Sequence, residues 1–426
     1  MTARYDRLAP LASPERERSF PGWAVLRDLD GAERDGDAAR RARLRFLALR
    51  PVLRAAHLGT DHVPIESFER QVDRVREELG QLPARDAERA VLARLLNDLR
   101  TRQSELIVQA VLVVSEFAEA NGQHAAAEEY ARAALAMTRN VPRDRQAAAA
   151  TRALSRVALS AGHLEEAQSR AHDACELALT SDDRGEWIRA IGQLAAAYRG
   201  TGDGSQAGEA LLQAHRRARE WGNEALVGLA LAQLCRHSAE INQPDGVIEH
   251  GWSALRMVER AEDRAQILKL MGDALAGLGF ARAAERCYAL ISLRASSPTL
   301  RLAGLAGAAL VAAEHGDRDR FRERRSAALR ELPPAHRAAR AAAHIDLGRG
   351  AGLVGETDSA REHIREALSL LGDTGHSGMR SQAEEVLRSL NGPAQQSPRR
   401  TPVPAEQTRR IAAELEHLAD SLVTME

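Results

Sequence analysis

The sequence predicts an all-α protein: a right-handed superhelical α-solenoid of helical hairpins preceded by an N-terminal helical region. Three observations predict it. Aromatic residues make up only 3% of the 426 residues, alanine and leucine abound, and β-branched residues are sparse, a balance that favours helix over strand. A glycine or asparagine returns at a nearly fixed interval along the chain. Around each of them the same small and apolar residues recur, and self-similarity of this kind marks a repeat array.

Before the array, residues 1–19 carry charges and prolines where a targeting segment would be apolar, and they read as a loose, disordered arm. Residues 20–102 keep a helical pattern, in "AARRARLRFLALRPVLRAAHL", "PIESFERQVDRVREELG" and "PARDAERAVLARLLNDLR", but the repeat columns blur. Pro64 and Pro83 are placed to start helices. A separate helical bundle and a set of degenerate repeats capping the array both fit this stretch.

Within residues 103–390 the recurring turns fall at Gly122, Gly162, Gly202, Asn242, Gly279, Gly316 and Gly355, separated by 40, 40, 40, 37, 37 and 39 residues. Seven before each turn stands a small residue: Ser115, Ser155, Ala195, Cys235, Gly272, Ala309 and Gly348. Eight before it stand Val114, Leu154, Leu194, Leu234, Met271, Ala308 and Leu347. Five after it come Ala127, Ala167, Ala207, Val247, Ala284, Phe321 and Ala360; twelve after it come Ala134, Ala174, Ala214, Ala254, Ile291, Ala328 and Ala367. The turn residue supplies the left-handed conformation that ends one helix. The small residues let a second, antiparallel helix approach closely. Each hairpin then has apolar faces that only its neighbours can cover.

These columns resemble the tetratricopeptide repeat. The match is carried by "LGRGA" with "GETDSAREHIREAL" (Leu347 to Ala351, Gly355 to Leu368), and by "LAAAY" with "GDGSQA" (Leu194 to Tyr198, Gly202 to Ala207). Pro333, seventeen after Gly316, stands where that family often ends a helix. The resemblance covers residues 105–372 with seven repeats, and departs from the family in a longer period, which implies longer helices or longer loops. It implies a concave wall lined by the first helices. Its lining positions are Ala149, Arg152, Arg156, Leu159 and Ser160 in the second copy, and Arg189, Gly192, Ala196, Arg199 and Gly200 in the third. Arg236 and Glu240 follow in the fourth copy, Gln266, Lys269 and Asp273 in the fifth, and Ile345 and Arg349 in the seventh. Arg152 and Arg156, four apart, share one helical face and are similar to a basic pair that clamps a carboxylate, although the asparagines of such clamps are missing. The peptide-binding residues expected on this basis are Arg152, Arg156, Arg189, Arg199, Arg236, Lys269 and Arg349.

After the array, "GMRSQAEEVLRSLNG" reads as a capping helix, and residues 391–404 hold four prolines, as a linker does. Residues 405–426 form an amphipathic helix with Ile411, Leu415, Leu418 and Leu422 on one stripe. Its apolar face is to be covered by the chain's own body, by a second copy, by another protein, or by docking in the array's own groove.

Balanced charge, 59 basic against 60 acidic residues, argues against non-specific nucleic-acid binding. Residues 38–80 show no helix-turn-helix, and the wall lacks stacking aromatics. Cys175, Cys235 and Cys287 stand apart in helical patterns, which fits reduced thiols in a cytoplasmic protein, and no window is apolar enough for a membrane span.

"GAGLVG" at 350–355 fits a dinucleotide fingerprint by letter alone, "GTGDGS" at 200–205 fails likewise, and Lys269, the sole lysine, is not in a phosphate loop. His57 and His62 have no third metal ligand nearby in sequence, while His124, His163 and His315 recur at exposed turns. The sequence thus argues for no enzyme active site, no cofactor and no metal. The expected function is a scaffold binding a protein or acidic peptide, with the C-terminal helix as one candidate ligand and homo-oligomers allowed. The alternative is a peptide-responsive signalling or transcriptional regulator using the N-terminal region as effector.

Overall fold

The computed structural model describes residues 37–58, 65–84, 86–138, 145–295, 297–332, 336–372, 377–391 and 403–423. Among these residues there are nineteen helices and no strand. Three open the chain: α1 (Asp37–Leu58), α2 (Ile65–Leu79) and α3 (Ala87–Thr101). Hairpins follow in order: α4 (Ser104–Ala120) with α5 (His124–Thr138), α6 (Arg145–Ser160) with α7 (Leu164–Thr180), and α8 (Arg184–Gly200) with α9 (Gly204–Glu220). Then come α10 (Glu224–Glu240) with α11 (Pro244–Leu255), α12 (Ala261–Gly277) with α13 (Ala281–Arg294), α14 (Pro298–Glu314) with α15 (Arg318–Glu331), and α16 (Arg337–Leu353) with α17 (Thr357–Leu371). A capping helix α18 (Ser377–Asn391) and a last helix α19 (Glu406–Val423) complete the chain. This is an all-α solenoid.

The expected turns are where the hairpins fold back. Gly122, Gly162, Gly202, Gly279, Gly316 and Gly355 have φ between 72° and 87°, and Asn242 has φ 56°. At each, the next amide reaches back over the turn, as His163 N–H does to the Ala158 carbonyl (2.8 Å) and Glu356 N–H to that of Ala351 (2.8 Å). This is the Schellman closure, which satisfies carbonyls that a helix end would leave unpaired. Asp182 (φ 54°) makes the same closure between successive hairpins, and Gly222 (φ 66°) is likewise left-handed there. From α7 to α10 every helix is therefore 17 residues long and separated from the next by three, which accounts for the 40-residue period. In these copies the long period comes from helix length, not from loops. It contracts after Asn242 because α11 has only 12 residues.

All four repeat columns are buried. Moreover, the column seven before the turn bonds to the column five after it. Ser115 Oγ donates to the Ala127 carbonyl (2.7 Å) and Ser155 Oγ to that of Ala167 (2.6 Å), and Cys235 Sγ lies 3.4 Å from the Val247 carbonyl oxygen. Where that column holds glycine, a bulky neighbour fills the space: a Cβ on Gly348 would stand 2.7 Å from Ile364 Cδ1, and one on Gly272 2.9 Å from Tyr288 Cε1. Phe321 replaces the usual alanine in the sixth hairpin, and its ring uses the room left by Gly350 in α16.

Each first helix from α4 to α14 packs on the first helix of the next hairpin, whereas successive second helices make no comparable contact. The first helices consequently stand on the inside of the bend. Arg337 N–H donates to the Asn121 side chain (3.0 Å), 216 residues away, so the last hairpin returns to the first and the array completes a superhelical turn.

The helices α1 to α3 share one apolar core with α4 to α6, from Leu44 to Val157. Tyr130 on α5 donates to the Arg45 carbonyl (2.9 Å), and Arg45 pairs with Glu88 (2.9 Å). Pro83 does not open α3 as expected; it stands in the preceding turn, and the Asp86 carboxylate caps the helix through the amides of Glu88 and Arg89. A carboxylate accepts from the first-turn amides, which proline can only spare. Pro64, Pro333, residues 1–36 (with the whole of the expected arm, residues 1–19) and residues 392–402 lie outside the described residues.

The amphipathic tail helix α19 docks on the chain itself, against the second helices α11 and α13. Thr408, Ile411, Ala412 and Leu415 are buried there. It thus lies on the outer layer and not in the concave groove, beside the shortened α11.

Two substitutions separate packing from backbone strain. Gly348→Val forces a side chain into Ile364 and is expected to cost about 1–3 kcal/mol. Gly202→Ala meets nothing within 4 Å and should cost about 1 kcal/mol from its left-handed conformation alone. Helical circular dichroism against temperature and urea reads both, and a reversed ranking would contradict the close-packing account.

Candidate functional site

The inner wall is built by residues that face inward once the small columns have turned the first helices' other sides into the hairpins. Each cation expected there is found on a first helix, and nearly all are engaged. Arg156 Nε bonds Glu119 of α4 (2.5 Å), whose other oxygen accepts from Ser160 Oγ (2.6 Å). Arg152 Nε bonds Glu186 at the start of α8 (2.5 Å), and Arg189 Nη1 lies 3.7 Å from the same carboxylate. Arg199 pairs with Glu240 of α10, and its Nη1 sits 3.1 Å from His237 Nδ1. Arg236 donates to Gln266 of α12 (3.0 Å). Lys269 pairs with Asp273 (2.6 Å) on its own helix, while Arg349 acts on the neighbouring Asp346. The expected open basic wall is in fact a ladder of pairs, and four of its rungs link one hairpin to the next.

Electrostatics varies along the ladder. Burial works against the Arg156 cation, but Glu119 and Glu116 outweigh it and hold its pKa above the ordinary value. Burial also opposes Lys269, and Asp273 and Asp346 again prevail. At the third rung burial wins: the Arg199 pKa is lowered and the Glu240 pKa raised, although each favours the other's charge. With Glu240 still open to solvent, the pair contributes little to stability.

A further charged cluster forms where Asp346 of the seventh hairpin comes within electrostatic reach of Lys269 and Asp273 of the fifth. The Tyr288 ring of α13 occupies the slot left by Gly272 and Gly307, and its hydroxyl donates to Asp273 (2.7 Å). Burial pushes the Asp346 carboxyl up to about 6, with Asp273 and Glu314 adding repulsion and Lys269 and Arg349 opposing it.

Sequence mapping missed Glu186, Asp346 and Tyr288. Glu186 stands outside the lining positions, yet Asp183 accepts from its amide, and the D-x-x-E spacing is a helix-start signal that points to it. Asp346 was one residue from a mapped position. Tyr288 belongs to a second helix, and only the glycines opposite it could have drawn attention to it.

Among the turn histidines, His163 and His315 are exposed. His124 is not: both its ring nitrogens are buried without a hydrogen-bond partner, in the turn to which α16 returns. The His57 side chain and His62 lie outside the described residues. Among the described residues, no group of three or more histidine, cysteine or acidic side chains is placed to hold a metal ion. No helix of the described residues is long and apolar enough to cross a membrane. The three thiols are buried and unpaired, and burial pushes each up to about 12.

No protein-family model matches the chain, and no curated protein does. Solved structures similar in architecture include the apo form of RapI, at 12% identity and TM-score 0.43, covering 65% of this chain and 99% of that one. Another is a Rap protein complexed with competence and sporulation factor, at 12% identity and TM-score 0.46, covering 85% and 92%. A third is the Rap conjugation gene regulator of plasmid pLS20 in complex with the Phr* peptide, at 11% identity and TM-score 0.46, covering 82% and 98%. Each is a likeness at low identity.

Two outcomes check the wall's electrostatics. A double-mutant cycle of Arg156→Ala with Glu119→Ala should give a coupling of about 1 kcal/mol; zero coupling would remove that rung. For Asp346, a folded pKa above the unfolded one means that its contribution to stability is intact below about pH 3.8 and is lost as pH rises towards 6. Asp346→Asn should therefore stabilise the protein by up to about 3 kcal/mol at pH 7.5 and leave it unchanged near pH 3.5, as read from thermal midpoints at the two pH values.

Proposed function

We propose that this chain is a tetratricopeptide-like interaction protein that holds an acidic, extended segment of another protein along the wall of its first helices. The observation that supports this reading is the ladder itself. A row of guanidinium groups on consecutive first helices is held at fixed spacing by Glu119, Glu186 and Glu240, and carboxylates of a ligand could take the same places. Pre-positioned guanidinium donors lose little freedom when one carboxylate replaces another. The seven hairpins, read as seven repeats, provide the length over which such a segment can lie.

A second reading, a signal-responsive regulator, is favoured by one feature. The helices α1 to α3 share their core with the first hairpins, so strain at the wall would be felt by the N-terminal region.

Binding of fluorescent peptides from an array of acidic and C-terminal sequences tests the first reading. Arg152→Glu with Arg156→Glu should lower affinity at least tenfold for any peptide the native chain binds, and raised salt should do likewise. Equal affinity for the variant, or a preference for basic peptides, would retire it.

A further inference from the structure

The outer face carries a binding groove of its own. The second helices α7 and α9 are 17 residues long, but α11 stops after 12, so the outer layer is short beside α13. The helix α19 lies there. Its buried residues Thr408, Ile411, Ala412 and Leu415 form one stripe at helical spacing, and the last three join the core that holds Ile248, Ala254, Cys287 and Ile291.

Polar contacts fix its direction. Asp245, in the first turn of α11, accepts from the Ala405 amide (3.0 Å) and from the Thr408 hydroxyl (2.5 Å). One carboxylate thus serves the positive ends of two helices. At the other end of α11, Arg256 lies 3.7 Å from Glu414. Early residues of α19 meet the start of α11 and later ones meet its end, so the two helices run parallel.

We propose that this groove is a helix-docking site that works between copies of the chain, the α19 helix of one copy filling the groove of a second. The packing of α19 is on α11 and α13, whereas its connection leads to α18, beyond two further hairpins. From Asn391 to Val403 is twelve residue steps, at most about 40 Å when extended. The contacts of α19 with α11 and α13 fix which helix fits the groove; the connection decides only which copy supplies it. Exchange between identical chains preserves every contact named above, which makes it a low-cost route to a dimer. A tether worth roughly millimolar effective concentration favours the intramolecular form in dilute solution. The exchanged form takes over at high concentration, or wherever a groove stands empty.

A complementary pair of full-length variants separates the two forms. Ile411→Asp spoils the helix and leaves the groove; Asp245→Arg spoils the groove and leaves the helix. Each alone should be monomeric by light scattering, and their equimolar mixture should form a one-to-one complex. A labelled peptide of residues 403–426 should also bind the Ile411→Asp chain, at least tenfold more tightly than the same peptide carrying Ile411→Asp. A mixture that stays monomeric up to about 1 mM overturns the proposal: if the peptide still binds, the clasp acts only within a chain, and if it does not, the groove is no docking site. Neither result bears on peptide binding by the concave wall.

Discussion

The fold depends on one close approach: the residue seven before each turn against the residue five after it. Only a small side chain at the first position brings the two helices of a hairpin near enough for Ser115 or Ser155 to reach a carbonyl of the partner helix. That distance has consequences further out. It sets how the first helices tilt towards the bend, and so how Arg152 and Arg156 come within reach of glutamates on the flanking hairpins. Where glycine takes the position, as at Gly348 and Gly272, a larger neighbour fills the volume and the approach is kept by complementary size.

Much of this was legible in the sequence because the repeat columns combine two strong signals. Left-handed turns select glycine or asparagine, and close helix pairs select small residues, so both survive as spacing. The rest was not legible for physical reasons. Whether the extra residues of the period lie in helices or loops depends on the second set of turns, and one of those uses Asp182, which carries no glycine to announce it. The repeat columns place the arginines on first helices, but their partners could not be read the same way, since Glu186 pairs across hairpins and its own local role is to begin a helix. The return of α16 to the first turn joins residues too distant in sequence for any local pattern to show.

The pairs along the wall alter what the array is as an electrostatic object. An unpaired basic stripe would repel itself and open the bend; paired with carboxylates on the next hairpin, the same charges draw neighbours together. Direct pairing also makes the wall selective. A ligand group must do better than a glutamate already in place, so affinity is a difference between two carboxylates and not the full strength of either.

The hydrogen bond between Arg337 and Asn121 has one more consequence. An open solenoid can gain or lose a unit in evolution without disturbing the others, because each unit touches only those beside it. Here the two ends meet, so an added hairpin would carry α16 past the first turn and a deleted one would leave it short. Adding or removing a unit would therefore break this contact, as a changed number of staves breaks the fit of a hooped barrel.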